Sequence, residues 1–221
     1  MSETITLTAS DGFKLGCYIA RPQGKPKAGL VVIQEIFGVN NHMRGVADGF
    51  AKDGYLAVTP AIFDRVKPGI ELGYGPDDVA KGRDIRGATD LDKVMLDLAA
   101  AVKQAKPAGK VGVVGYCWGG TLAFLGGQRL GVDAAVGYYG GGMVPFADAK
   151  TTAPTMLHFG EKDTGIPLSD VEIVRKKRPE VEIHLYPAGH GFNCDERGSY
   201  DASATKLARE RTIAFFKKHL G

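Results

Sequence analysis

A cysteine stands at the centre of Gly115-Tyr116-Cys117-Trp118-Gly119, a Gly-x-Cys-x-Gly pattern. The apolar, β-branched run Val111 to Val114 precedes it and reads as a buried strand, and the helix-compatible segment Thr121 to Leu130 follows. A sharp strand-to-helix turn is strained, and bulky neighbours two positions either side of its apex would clash, so small residues are needed there. The apex side chain then stands clear of the sheet at a helix N-terminus, whose partial positive charge favours an anion. Cys117 is therefore a candidate nucleophile. Cys17 falls in an edge-strand pattern and Cys194 in a loop, and neither is placed for that role.

A thiol nucleophile needs a base to take its proton, and the base needs an orienting partner. His190 lies in the glycine-flanked turn Pro187-Ala188-Gly189-His190-Gly191-Phe192, directly after the last strand pattern. Asp163 lies in Gly160-Glu161-Lys162-Asp163 after the preceding one, with Glu161 as its rival. The chain order of nucleophile, acid and histidine is that of the α/β-hydrolases. The other histidines fit less well: His42 precedes a helix, His158 and His184 sit inside strand patterns, and His219 is terminal.

The elements that must position these groups alternate. Thr4 to Thr8 and Lys14 to Ala20 alternate apolar with polar around Asp11-Gly12, a hairpin turn, and predict an antiparallel pair at a sheet edge. Gly29 to Ile33 is a continuous apolar run suited to a strand covered on both faces. A helix over Met43 to Lys52, a strand over Tyr55 to Thr59 and a long Pro/Gly-rich loop over Pro60 to Pro76 follow. Apolar residues Leu91, Val94, Met95, Leu98 and Val102 recur at helical spacing, predicting one helix from about Arg83 to Gln104. Beyond the elbow come strands Ala134 to Tyr139 and Thr155 to Gly160, helix Leu168 to Arg178, strand Val181 to Tyr186 and helix Ala202 to Leu220. This pattern predicts an α/β fold, a mostly parallel central sheet with helices on both faces and an antiparallel N-terminal edge. With no repeat or linker, residues 1–221 are expected to form one domain. Ligands bind beyond the carboxyl ends of such strands, and Glu35, Cys117, Asp163 and His190 all follow a strand pattern.

Composition narrows the classes further. A net charge of +3 spread along the chain leaves no basic stripe for nucleic acid. Three widely spaced cysteines make no disulfide framework, and Met1 to Ser10 is polar without a basic-then-apolar signal region. No apolar run approaches the ~20 residues a membrane span needs. A soluble, cytoplasmic protein is expected. No close pairing of metal ligands stands out beyond His190 with Cys194, so neither a metal nor another cofactor is expected.

Together, G-Y-C-W-G-G, Q-E-I-F-G at Gln34 to Gly38, G-E-K-D and A-G-H-G-F resemble the dienelactone hydrolases (carboxymethylenebutenolidases) over essentially the whole chain. The resemblance implies a single-domain α/β-hydrolase fold and a triad of Cys117, Asp163 and His190. It also implies that Glu35 contacts the resting thiol, and that the backbone N–H groups of Ile36 and Trp118 form the oxyanion hole. Two arginines would hold a substrate carboxylate: Arg65 matches the first, while Arg197 arrives later after the histidine than in the family pattern. Phe37 would line the pocket wall.

A cysteine nucleophile also constrains the substrate. Free thiol has a pKa near ~8.5, far below that of an alcohol, so sulfur leaves a tetrahedral intermediate before a simple alkoxide does. An enol ester or lactone that expels a stabilised enolate avoids that problem. The expected partner is thus a small, anionic lactone or activated ester, with oligomeric state open. A broad small-ester esterase, or a non-catalytic binding or redox-sensing protein on the same scaffold, is the alternative, because fold does not fix function.

Overall fold

The computed structural model describes Met1–Gly221, and the chain forms two compact units, Met1–Gly112 and Val113–Gly221. In the first, β1 (Ser2–Thr8) and β2 (Lys14–Ala20) pair antiparallel from Ser2↔Ala20 to Thr8↔Lys14. Their turn carries Gly12 at φ +84°, a left-handed conformation suited to glycine. β3 (Gly29–Ile33) and β4 (Leu56–Pro60) run parallel, and β4 pairs antiparallel with β2, giving the order β1-β2-β4-β3. Every residue of β3 and β4 is buried, which explains their unbroken apolar character. α1 (Asn41–Lys52) starts at Asn40, whose side chain accepts from the Met43 N–H, and packs against β2, β3 and β4.

The single helix expected over residues 83–104 is two helices, α2 (Pro76–Gly87) and α3 (Leu91–Ala105). Asp90 caps α3 by accepting from the N–H groups of Asp92 and Lys93, so the chain restarts a helix there. α2 begins at Pro76 with Asp77 and Asp78 in its first turn, which is ordinary helix-start chemistry. It buries only Gly82 and Ile85, and so carries no apolar stripe for periodicity to find. α3 buries the expected Val94, Met95, Leu98 and Val102, together with Asp97.

In the second unit the order is β5-β6-β7-β8. The elements are β5 (Val111–Tyr116), α4 (Trp118–Arg129), β6 (Ala134–Tyr138), β7 (Thr155–Gly160), α5 (Leu168–Lys177), β8 (Glu182–Tyr186) and α6 (Ala202–Leu220). β6 pairs parallel with β7, and β7 with β8. α4 is buried continuously from Trp118 to Gly127 and packs on β6 and β7, as does α6. α6 is capped by Asp201, whose side chain accepts from the Ala204 N–H.

One histidine inside this unit shows what a satisfied core position looks like. His158 is fully buried, with Nδ1 at 2.7 Å from the Tyr186 hydroxyl and Nε2 at 3.1 Å from Thr212 Oγ1. Thr212 Oγ1 also lies 2.6 Å from the Tyr138 hydroxyl. Burial drives the His158 pKa well below the ordinary value, so the ring is a neutral structural group. Parallel strands alternating with helices, and an antiparallel N-terminal edge, make the expected α/β fold. No helix is long and apolar enough to cross a membrane.

Candidate active site

Cys117 is the single residue between β5 and α4, with φ 53° and ψ −119°. A side chain in this left-handed region is uncommon, and the elbow sequence shows what sustains it. A Cβ on Gly115 would collide with the Gly119 carbonyl, and one on Gly120 with the Tyr138 carbonyl oxygen. The glycines thus let the strand, turn and helix close on one another. The Cys117 N–H donates to the Tyr138 carbonyl at 3.0 Å, and the Cys117 carbonyl accepts from the Gly120 N–H at 2.9 Å. The helix begins at Trp118, three residues before the sequence pattern suggests, because the elbow has no spare residues.

The thiol meets its partners. Cys117 Sγ lies 3.1 Å from His190 Nε2, and His190 Nδ1 lies 2.7 Å from Asp163 Oδ2. The second Asp163 oxygen accepts from the Gly165 N–H at 2.8 Å, so the carboxylate is held at both ends. Its side chain is fully buried, whereas that of His190 is 27% exposed. Glu161, the rival acid, is exposed. The histidine turn is pinned to the end of β7: the Lys162 N–H donates to the Ala188 carbonyl at 2.9 Å. A Cβ on Gly160 would strike the same carbonyl.

Burial alone would lower the His190 pKa. The hydrogen bonds from Asp163 and Cys117 and the charges of both groups outweigh it, raising the value to about 10. Two of the raising causes come from Cys117 and vanish when the sulfur is acylated or removed. In Cys117→Ala, NMR titration of the His190 ring protons is expected to show a midpoint below that of the wild type; an unchanged midpoint would contradict this coupling. The sign for stability follows: the group contributes stability below an unfolded value near 6.5, and that contribution is lost as pH rises through about 10.

In the first unit, Glu35, Ile36 and Phe37 lie beyond the carboxyl end of β3, and all three are buried. Gly38 turns left-handed at φ +79°, where a Cβ would meet the Ile70 carbonyl oxygen. The Leu72 N–H donates to the Phe37 carbonyl at 2.9 Å, and the Phe37 ring meets Tyr74 edge-on at 4.6 Å. Gly82 of α2 sits directly against the Ile36 carbonyl, where no side chain fits. Tyr74 and Gly82 had no distinguishing sequence signal, since both act through chain-distant contacts.

Arg65 is paired within the protein. Arg65 donates from Nε and Nη2 to Asp97 at 2.8 and 2.7 Å, and from Nη1 and Nη2 to Asp11 at 3.0 and 3.1 Å. Its guanidinium also lies 4.3 Å from the centre of the Phe13 ring. The physical reason is Asp97, whose side chain is fully buried in α3 and requires a cation. Burial pushes the Asp97 pKa up, and Arg65 opposes the shift. Arg65 is thus engaged by two of the protein's own carboxylates. Arg65→Ala is expected to destabilise the fold by about 3–5 kcal/mol, the typical cost of stranding one member of a buried pair, as read by urea unfolding. A loss below about 1 kcal/mol, as for a surface pair, would contradict this assignment. Arg197 packs its guanidinium over Gly191, next to His190, with Nη1 2.5 Å from where a Gly191 Cβ would stand.

The fold is that of an α/β-hydrolase. Residues 15–220 match the Dienelactone hydrolase family. The carboxymethylenebutenolidase of Pseudomonas putida is 35% identical, over 97% of this chain and 96% of its own length. A Synechocystis sp. protein assigned the same name is 34% identical, over 98% and 97%. Among solved structures, a Klebsiella pneumoniae protein assigned as a dienelactone hydrolase superposes with a TM-score of 0.87 at 29% identity, covering 99% of each chain. This chain belongs to the dienelactone hydrolase family, whose members it matches along nearly its whole length.

Proposed function

We propose that the protein hydrolyses an activated lactone or enol ester of the dienelactone type through a thioester on Cys117. The observation that carries this reading is the Sγ–Nε2–Nδ1–Oδ2 relay, 3.1 and 2.7 Å at its two links. Sulfur, with its proton held by His190, attacks the ring carbonyl carbon. The backbone N–H groups of Trp118 and Ile36 receive the developing oxyanion, each worth ~2.7–4 kcal/mol in such sites. Collapse breaks the acyl C–O bond and expels the enolate, which is a better leaving group than the thiolate. His190 passes the proton it took from sulfur to the departing enolate oxygen, and with the sulfur acylated its ring is left free to act as a base. It then takes a proton from water as general base, and the hydroxide cleaves the thioester to regenerate Cys117.

Buried Glu35 serves the resting thiol and favours thiolate formation when substrate enters, and Phe37 contributes apolar wall. A carboxylate on the substrate is met by Arg197, whose guanidinium over Gly191 puts a cation beside the histidine turn. The near-complete family match supports one functional domain over residues 1–221. Its three widely spaced cysteines suit a reducing, cytoplasmic setting.

The test follows loss of the dienelactone chromophore with wild-type protein and Cys117→Ser, with p-nitrophenyl acetate as the comparison ester. Fast, cysteine-dependent loss of dienelactone with weak acetate turnover supports the proposal. Acetate turnover alone would make the protein a small-ester esterase. Turnover of neither, with stoichiometric thiol labelling, would favour a redox-sensing role.

A further inference from the structure

The chain has two non-glycine residues at positive φ: Cys117 and Tyr139, the latter at φ 37°. A bulky aromatic in this region is a conformational outlier, and such outliers persist only where the surroundings over-determine them. Tyr139 follows the last residue of β6 and is fully buried. Its N–H donates to the His158 carbonyl at 2.7 Å, tying the strained residue to β7. Its ring centroid lies 5.2 Å from that of His190, at an interplanar angle of 63°, and 5.3 Å from that of Phe192.

The neighbouring peptides grip the other half of the relay. The Tyr138 carbonyl accepts from the Cys117 N–H at 3.0 Å, and the Gly141 carbonyl accepts from Thr121 Oγ1 at 2.7 Å. A Cβ on Gly140 would fall 2.6 Å from the Thr121 nitrogen, so this segment lies flat against the start of α4. Residues 138–141 therefore hold the thiol-bearing elbow through backbone and reach the imidazole through one aromatic ring.

We propose that Tyr139 is a positioning residue for His190: its left-handed backbone sets the ring against the imidazole and fixes the ring plane so that Nε2 faces Cys117 while Nδ1 faces Asp163. The imidazole has only these two polar anchors, one of which is the reacting sulfur, so an aromatic wall is what restrains it once sulfur is acylated. This inference rests on the reading of His190 as the base. The function belongs to the ring and its placement.

The test compares Tyr139→Phe with Tyr139→Asn, since asparagine tolerates the left-handed region but removes the ring. Tyr139→Phe is expected to stay within about threefold of wild type in kcat, while Tyr139→Asn loses about 10–100-fold with KM little changed, the scale of a small misplacement of a catalytic group. The pH midpoint of Cys117 alkylation by iodoacetamide, which reports the thiol facing His190 and Asp163, should move in Tyr139→Asn and not in Tyr139→Phe. Wild-type kcat and midpoint in Tyr139→Asn would overturn the proposal, as would equal damage in Tyr139→Phe. If Tyr139→Asn melts without cooperativity, Tyr139→Leu is read by the same criteria; if neither folds, the role is in folding rather than positioning and the proposal is overturned. His190→Ala, measured alongside, separates the two layers: wild-type turnover there would sink the base assignment itself.

Discussion

Replacing Cys117 with alanine is expected to lower kcat for dienelactone by about 10⁴-fold or more while the protein still melts cooperatively, because removing the nucleophile of an acyl-transfer relay removes the route itself. The alanine methyl fits any space the cysteine leaves. The elbow is held by backbone, with the Cys117 N–H on the Tyr138 carbonyl and the Gly120 N–H on the Cys117 carbonyl. Stability should therefore barely change, although alanine inherits the left-handed φ. Cys117→Ser keeps the geometry and replaces the thiol by a far weaker acid, so it separates position from acidity. Loss of only about tenfold in Cys117→Ala would mean that another group forms the acyl bond or that water attacks directly.

The second large effect is expected at Asp163. Asp163→Asn should reduce kcat by about 10⁴-fold with little change in overall structure. The amide can keep Oδ1 on the Gly165 N–H, and its NH₂ then faces His190 Nδ1. Donation from that NH₂ forces Nδ1 to be an acceptor and leaves the proton on Nε2, the wrong tautomer for taking one from Cys117. It also removes a principal cause of the raised His190 pKa. Glu161→Gln, on an exposed side chain two residues away, should stay within about threefold of wild type, since surface substitutions are mostly near neutral. Comparable losses at both positions would contradict the assignment of Asp163 as the orienting acid.

The relay was legible in the sequence because each part is local. The elbow is a five-residue pattern, and Asp163 and His190 each follow a strand pattern, the first nearly all apolar and the second alternating. The alternation of strands and helices was legible for the same reason. What stayed hidden depends on distant partners. Arg65 matched a substrate-binding position by its place after a strand, but Asp97 lies 32 residues away and Asp11 54, and no local spacing links them. A buried carboxylate in α3 was the one available signal: Asp97 falls on the apolar stripe between Val94 and Leu98. Splitting residues 83–104 into two helices escaped periodicity because α2 buries almost nothing. Tyr139 read as the end of a strand, and its left-handed turn is imposed by the elbow and β7 rather than by its own residue type.

The central claim is an acyl thioester on Cys117, and rapid-quench intact-protein mass spectrometry during dienelactone turnover tests it most directly. His190→Ala should be run in parallel, because loss of the general base slows thioester hydrolysis. The account predicts a transient mass increase equal to one acyl group, carried by the peptide containing Cys117, released by hydroxylamine and absent in Cys117→Ala. An adduct on any other residue, or full turnover in Cys117→Ala with no adduct at all, would contradict it.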